Sequence, residues 1–219
     1  NERFNLTAIV GYEEIQRKLF LDSLSCLLAL PHTGVRGLIP NTVPLQLGSP
    51  PLRFLDVGSG AGFPGLPIKI MLPEVEMTLV EARAKKAAFL KHLVNVLGLE
   101  HVEVYHARAE ELGQAPEHRG RYDVVLARAV AHLAVLAEYC LPFCRLGGRM
   151  IAPKGENAEV EAEESRRALK VLGGSMTAIK AIILPGLDSP HYLVVIDKAS
   201  KTPDRYPRRP GMPSKQPLR

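Results

Sequence analysis

Short strand-like segments alternate with helical segments from residue 53 onward, and this alternation limits the fold more than any other feature. Apolar runs predict strands at 53–57, 77–81, 102–106, 122–127, 149–153, 177–184 and 191–198. Apolar residues at helical spacing predict helices at 66–71, 84–97, 132–143 and 156–172. Repeated strand–helix units indicate a mostly parallel sheet with helices on both faces. The link at 185–190 is too short for a crossover helix, so the last two strands of this seven-stranded sheet should form an antiparallel hairpin.

Four regions follow from the composition along the chain. Residues 1–30 are predicted to be a helical extension, in which 13–30 form an amphipathic helix, and residues 31–51 a linker rich in proline and glycine. Residues 52–199 hold the α/β domain. In the tail, 200–219, six basic residues face one acid, and five prolines predict neither helix nor central strand. The tail is therefore either a basic arm for a phosphate backbone or a disordered, solvated segment.

The overall composition is typical of a soluble protein in a reducing compartment. Hydrophobic residues make up 46% and charged residues 23%, and no apolar run is long enough to span a bilayer. We therefore expect a cytoplasmic protein without a membrane segment. Cys26, Cys140 and Cys144 suggest neither a disulfide framework nor a metal site, and are expected to be buried structural thiols. The net charge of +5 mildly favours an anionic partner.

A glycine-rich loop at 55–65 follows the first strand and precedes a helix, which is the context of a nucleotide-binding loop. Gly58, Gly60 and Gly62 allow a sharp turn and a close approach of the ligand to the backbone. The loop also satisfies the dinucleotide fingerprint, and Glu81 stands where an acid would hold ribose hydroxyls in either case. The loop alone does not distinguish the two ligands.

Asp56 favours one of the two. It lies two residues before Gly58, at the carboxyl end of the first strand. A carboxylate here can help to bind the ammonium group of S-adenosylmethionine, but it would repel the pyrophosphate of a dinucleotide. A dehydrogenase also needs a substrate domain, for which the chain has no room. With the antiparallel hairpin, these features predict an α/β class I S-adenosylmethionine-dependent methyltransferase with a Rossmann-like sheet.

Charged residues also follow the later strands, at the edge where such a sheet holds its ligand. Ala109 and Glu110 follow the third strand, Arg128 ends the fourth and Lys154 ends the fifth. A charge in the apolar setting of Arg128 needs a partner, which is either a ligand or a structural carboxylate. The same two possibilities hold for Lys154.

Eight short segments, beginning with Asn-Leu-Thr-Ala-Ile and Asp-Ser-Leu, form a pattern more specific than a generic glycine loop. They occupy residues 5–9, 22–24, 55–65, 81–90, 108–111, 127–131, 154–155 and 206–211. In these segments the chain resembles the guanine-N7 methyltransferases of small-subunit ribosomal RNA, first described as glucose-inhibited division protein B. The resemblance covers nearly the whole chain. It implies an enzyme that transfers a methyl group from S-adenosylmethionine to N7 of one guanine in 16S ribosomal RNA.

The resemblance further implies which residues contact the cofactor. They are Gly58, Phe63, Glu81, Ala82, Arg83, Ala109, Glu110 and Arg128. We expect Asp56 to favour the ammonium group, Gly60 and Gly62 to allow close approach, and the acid after the second strand to bind the ribose. Arg128 and Lys154 are expected to act at the opening, on an RNA phosphate or on guanine O6, although Arg128 could instead bind the cofactor. Guanine N7 carries a lone pair and no proton, so no general base is expected and the main task is alignment.

Three features depart from the family pattern. Leu19 stands where members carry a His, the 31–51 stretch is longer than usual, and the chain begins at Asn1 without the further helix that precedes the Asn-Leu-Thr motif. We therefore expect an upstream segment in the full protein. The alternatives are a methyltransferase of the same fold for another RNA, a small molecule or a protein, a dehydrogenase, and a non-catalytic RNA-binding assembly factor. The absence of a heptad seam predicts a monomer.

Overall fold

Seven strands form one sheet in the computed structural model, which describes residues 6, 9, 11–30, 51–128, 131–186 and 190–218. The strands are β1 Arg53–Val57, β2 Glu76–Glu81, β3 Val102–His106, β4 Tyr122–Leu126, β5 Cys144–Lys154, β6 Gly174–Ile182 and β7 His191–Lys198. Their order in the sheet is β3-β2-β1-β4-β5-β7-β6. All neighbours are parallel except β7, which runs antiparallel to both β5 and β6. The predicted sheet and its antiparallel end are confirmed.

Helices cover both faces of the sheet, and the sheet separates the hydrophobic core into two clusters. They are α1 Gly65–Met71, α2 Ala84–Val96, α3 Ala109–Leu112, α4 Leu133–Cys140, α5 Ala158–Glu164, α6 Arg166–Leu172 and α7 Met212–Lys215. Side chains of β1 alternate between the faces, as a strand buried on both sides requires. Leu55 and Val57 pack with α4, α5 and α6, whereas Phe54 packs with α1 and α2. The three cysteines are buried and free, as predicted.

The N-terminal helical segment, 12–29, lies where an amphipathic helix was predicted. Its turns are α-helical at Tyr12–Ile15 and Asp22–Ser25, π-helical at Gln16–Leu21 and 3₁₀ at Cys26–Ala29. The buried side of the segment presents Leu19, Asp22, Ser23, Cys26 and Ala29. Cys26 and Ala29 join the same core cluster as Phe54 of β1, so this segment covers one face of the sheet. Most of the 5–9 motif and of the 31–51 linker lies outside the described residues.

The single helix predicted at 156–172 is two helices in the structure. α5 ends at Glu164 and α6 begins at Arg166, with Ser165 buried between them. The Ser165 hydroxyl has no hydrogen-bond partner among the described residues. Apolar spacing alone did not predict the break, because the residues on both sides of it favour helix.

The tail is packed against the domain, so of its two predicted forms the disordered, solvated segment is wrong. Arg119 donates hydrogen bonds to the carbonyls of Thr202, Pro203 and Tyr206, and Tyr206 is buried in the core. These contacts satisfy backbone groups that the prolines leave without a regular ladder. A composition rich in proline therefore concealed a structured segment.

The tail also contains a helix that the prolines were predicted to exclude. α7 carries Pro213 in its first turn, where a missing N–H costs no intrahelical bond. Before it, Arg208 binds both carboxylate oxygens of the fully buried Glu138, at 2.8 and 2.6 Å. Arg208 therefore faces inward, while Arg205 and Arg209 of the same basic cluster are exposed.

Candidate cofactor and substrate site

A cavity of about 700 Å³ opens at the carboxyl end of the sheet, within the range of small-molecule sites. β1 and β4 are neighbours, but the chain leaves β1 towards β2 and leaves β4 towards β5, so a crevice forms between their ends. The cavity is lined by Leu6, Ile9, Leu19, Asp22, Gly58, Ser59, Gly60, Ala61, Phe63, Lys86, Arg128, Pro153, Lys154, Gly155, Glu161 and His191. Thus five predicted site residues line the cavity: Gly58, Gly60, Phe63, Arg128 and Lys154.

The glycine loop has one side that faces open space. Gly58 and Gly60 have φ angles of +74° and +57°, which favour glycine. A Cβ atom added to Gly58 would meet nothing within 4 Å, and one added to Gly60 would meet no atom closer than 3.7 Å. Gly62 differs, because its Cβ would lie 2.4 Å from Leu66 Cδ1. The first two glycines therefore leave room for a ligand, whereas Gly62 makes room for α1.

Glu81 fixes the shape of this loop. Its Oε2 accepts a hydrogen bond from Gly60 N at 3.0 Å, and its Oε1 accepts one from Arg83 N at 2.7 Å. Each carboxylate oxygen can accept a second hydrogen bond, so ribose hydroxyls can still bind here. Ala82 and Arg83 are exposed beside it, at the end of β2.

Two of the predicted cofactor contacts, Ala109 and Glu110, lie one strand further along the same edge. Glu110, in α3 after β3, is buried, and its Oε1 accepts a hydrogen bond from Gly211 N at 2.8 Å. Ala109 is half-buried next to it. Neither residue lines the cavity, and neither do Glu81, Ala82 or Arg83. The predicted cofactor residues thus form two groups, one at the cavity and one at the ends of β2 and β3.

Asp56 is fully buried beneath the glycine loop. Its Oδ2 accepts a hydrogen bond from Gly65 N, at the start of α1, at 3.0 Å. Its Oδ1 is buried and has no partner among the described residues. Burial raises the pKa of this carboxyl from 3.8 to about 7, against the hydrogen bond from Gly65 N, which lowers it. Asp56 does not line the cavity, so any effect on an ammonium group acts through the loop.

Arg128 has the carboxylate partner that its apolar setting requires. Its Nε lies 3.2 Å from Asp22 Oδ2, and its Nη2 donates to Lys18 O at 2.6 Å. Nη1 is buried without a partner among the described residues. The other oxygen of Asp22, Oδ1, lies 3.3 Å from His191 Nδ1. The N-terminal helical segment and β7 therefore meet at the cavity, a contact that spacing in the sequence did not indicate.

Lys154 is also paired. Its Nζ lies 2.6 Å from Glu161 Oε2 and donates to Ala131 O at 2.7 Å. The same Oε2 accepts a hydrogen bond from Leu133 N at 2.7 Å. Glu161 was not among the site residues predicted from the sequence. Its position, seven residues after a lysine at the end of a strand, was the signal that could have identified it.

Apolar residues of the N-terminal helical segment complete the wall. Leu19, which occupies the place of the family's His, is buried and lines the cavity. Phe20 packs edge-to-face on Phe63 of the glycine loop, with ring centroids 5.0 Å apart. The segment is therefore attached to both the loop and the strand ends.

A comparison with known families identifies the chain. The family model described as rRNA small subunit methyltransferase G (GidB) matches residues 1–185. The chain belongs to this family. A ribosomal RNA small subunit methyltransferase G from Pelotomaculum thermopropionicum is 49% identical over 218 residues, covering 100% of this chain and 84% of the relative. A protein of the same name from Roseiflexus sp. (strain RS-1) is 47% identical, covering 100% of this chain and 86% of the relative.

The fold of this family member also occurs in solved methyltransferases. Geranyl diphosphate C-methyltransferase from Streptomyces coelicolor A3(2), solved with S-adenosyl-L-homocysteine, superposes with a TM-score of 0.53 at 15% identity. The match covers 68% of this chain and 73% of that chain. Membership of the family excludes the dehydrogenase alternative.

Two further features of the described residues bear on the site. Within the described ranges, no three His, Cys, Asp or Glu side chains are placed to hold a metal ion. Across the same ranges, no helix has the length and apolar character needed to cross a bilayer.

Proposed function

We propose that this chain transfers a methyl group from S-adenosylmethionine to N7 of one guanine in the 16S RNA of the small ribosomal subunit. Membership of the rRNA small subunit methyltransferase G family supports the reaction and the class of substrate. The structural observation that carries the proposal is the cavity, which joins an open glycine loop to a polar wall at the carboxyl ends of β4 and β5. The polar wall consists of Asp22, Arg128, Lys154 and Glu161.

The residues of the loop edge fit the cofactor. Gly58 and Gly60 leave space for a ligand against the backbone, and Glu81 keeps acceptor capacity for ribose hydroxyls. Glu110 has a second carboxylate oxygen beyond the one that Gly211 binds, which suits an adenine amino group. When bound, the cofactor supplies an electrophilic methyl group on a sulfonium centre.

The polar wall suits a guanine nucleophile. N7 attacks through its own lone pair, so the wall needs no group to remove a proton, and it contributes by holding the base in line with the methyl group. Methylation makes the base cationic while the sulfur loses its charge. The carboxylates of Asp22 and Glu161 line the cavity and stabilise positive charge that develops there.

Arg128 and Lys154 act in this proposal mainly by holding those carboxylates. Both cations are already paired, at 3.2 and 2.6 Å, and the Arg128 nitrogen that has no partner among the described residues, Nη1, is buried. Neither cation is therefore a free binding site for an RNA phosphate. Exposed cations of the tail, Arg205 and Arg209, are better placed to supply a salt-sensitive attraction to RNA. The target base is expected to leave its stack to enter the cavity. We further propose that the chain acts as a monomer in the cytoplasm.

The proposal is tested by methyl transfer from radiolabelled S-adenosylmethionine to small ribosomal subunits that lack guanine-N7 methylation. The modified base is then mapped, and an Arg128→Ala variant is assayed in parallel. Arg145→Ala is the matched control, because Arg145 pairs with Asp123 on the surface, away from the cavity. We expect label at a single guanine N7, greatly reduced by Arg128→Ala and retained by the control.

Two other results separate the parts of the proposal. If the chain binds the cofactor but labels no guanine, the proposed substrate is wrong. If it binds no S-adenosylmethionine in calorimetry, the proposed reaction as a whole is wrong.

A further inference from the structure

Two carboxylates line the polar wall of the cavity, and they differ in how fully they are used. Both oxygens of Asp22 are engaged, one by Arg128 and the other by His191. In Glu161 every contact falls on Oε2, which receives the Lys154 ammonium group and a backbone N–H. Oε1 of Glu161 receives no hydrogen bond from any described residue. Glu161 therefore offers an unused acceptor at the cavity.

Glu161 is also held in place. Its side chain is 20% exposed and Lys154 beside it is 6% exposed, so the pair is largely removed from water. Two short contacts, 2.6 Å from Lys154 and 2.7 Å from Leu133 N, fix the position of Oε2 and so the direction of Oε1. A carboxylate fixed in this way binds a donor without paying for side-chain ordering at the moment of binding.

The chemistry of guanine N7 methylation limits how the base can be recognised. The commonest protein contact to guanine is an arginine or lysine that binds O6 and N7 together. Such a contact would cover N7, which must remain free to attack the methyl group. The opposite side of the base carries the N1–H and N2–H donors of the Watson–Crick edge, and reading them requires an acceptor.

We infer that Glu161 selects guanine by accepting hydrogen bonds from N1–H and the N2 amino group, with Oε1 as the acceptor. This inference rests on the proposed methyl transfer to guanine N7. Adenine would turn the lone pair of its N1 towards the carboxylate and lacks the N2 amino group, so it would be rejected. The same contact leaves N7 on the far side of the base, and it places a negative charge near a base that becomes cationic.

The test removes the donor from the base and the acceptor from the protein in a double-mutant cycle. Small subunits are reconstituted around ligated 16S RNA that carries either guanine or inosine, which lacks the N2 amino group, at the mapped position. In Glu161→Gln the amide oxygen can keep the contacts to Lys154 and Leu133, while the amide NH₂ takes the place of Oε1. Glu163→Gln is the control, since Glu163 lies in α5 with Glu161 and, among the described residues, pairs only with Arg166 at the exposed start of α6.

We expect the chain and the Glu163→Gln control to favour guanine over inosine by at least roughly tenfold in kcat/KM, the effect of one hydrogen bond to a charged group. In Glu161→Gln this ratio should fall to about one, with cofactor affinity unchanged. A ratio of one for the unaltered chain, or a large ratio that survives Glu161→Gln, overturns the inference. Absence of any product on guanine instead refutes the proposed function. The guanine-to-inosine ratio of the unaltered chain tests the inference even if the variant fails to fold.

Discussion

Replacing Asp56 by Asn should change how the stability of the protein depends on pH. The carboxyl is fully buried, and burial raises its pKa to about 7, whereas the unfolded chain should ionise it near the ordinary value of 3.8. Between these values the native state therefore binds a proton that the unfolded state has lost. Below about pH 4 the Asp56 carboxyl therefore makes its full favourable contribution to the free energy of unfolding. This contribution falls as pH rises towards 7. In the Asn variant this pH dependence is absent.

The magnitude follows from the two pKa values. At about 1.4 kcal/mol for each pH unit between them, ionising Asp56 costs the native state roughly 4 kcal/mol above pH 7. About 3 kcal/mol of this difference develops between pH 5 and pH 8. Asn keeps an oxygen for the Gly65 N–H, so the contact to α1 survives the change. Other titrating groups are common to both proteins and cancel in the comparison.

The assay is urea unfolding of the ligand-free protein and the variant at several pH values from 5 to 8. We expect the variant to gain stability relative to the unaltered chain as pH rises, by about 3 kcal/mol over the range. Parallel profiles would show that Asp56 is already ionised at pH 5, and the assignment of a burial-raised pKa would be refuted. If the carboxylate also favours the cofactor's ammonium group, cofactor affinity should rise through pH 7 in the unaltered chain only.

Four further substitutions test other contacts. Arg208→Ala leaves the buried carboxylate of Glu138 without its cation and should lower the free energy of unfolding by about 3–5 kcal/mol; a loss below about 1 kcal/mol in urea unfolding would show that the tail does not depend on this pair. Gly62→Ala should destabilise the protein by at least about 1–3 kcal/mol, because its Cβ would overlap α1 at a φ of +98°. Gly58→Ala adds the strain of a φ of +74° without an overlap, so it should destabilise the protein less than Gly62→Ala and weaken cofactor binding more. Urea unfolding and calorimetry that ranked the two glycines in the reverse order would contradict these different roles. Asp22→Asn should lower kcat for methyl transfer more than it lowers cofactor affinity, since it loosens the arginine at the end of β4; equal losses would argue for a purely structural role.

Local patterns were sufficient to predict most of the sheet. β1, β3 and β7 begin and end at the predicted residues, because each is a short segment rich in strand-favouring residues such as Val, Phe and Tyr. β5 begins at Cys144, five residues before the predicted start at 149, since Cys144 pairs with Tyr122 beyond a shift in register. Pairing of this kind depends on the neighbouring strand and leaves no periodic signal in the strand itself.

The sequence predicted the location of the site better than it predicted which residues of the site contact one another. Positions at strand ends identified Arg128 and Lys154, because parallel strands bring their carboxyl ends to one edge. The carboxylate partner of Arg128 was not evident, since Asp22 is separated from it by 106 residues in the sequence. Whether a buried cation faces a ligand or a carboxylate is decided by tertiary packing, which single-sequence patterns do not contain. The packing of the tail was left open for the same reason, since the contacts of Arg119 with its carbonyl groups join residues more than 80 positions apart.

The reversed direction of β7 has a mechanical consequence. A parallel strand would bring its last residue to this edge of the sheet, whereas β7 brings its first, His191, beside the end of β5. The Asp22 carboxylate thereby contacts both Arg128, which follows β4, and His191, the first residue of β7, with β5 lying between the two strands. Both contacts are made by one side chain of the N-terminal helical segment, so a rotation of the segment about its axis would have to break both of them. Strand polarity thus gives the N-terminal wall of the cavity its resistance to rotation.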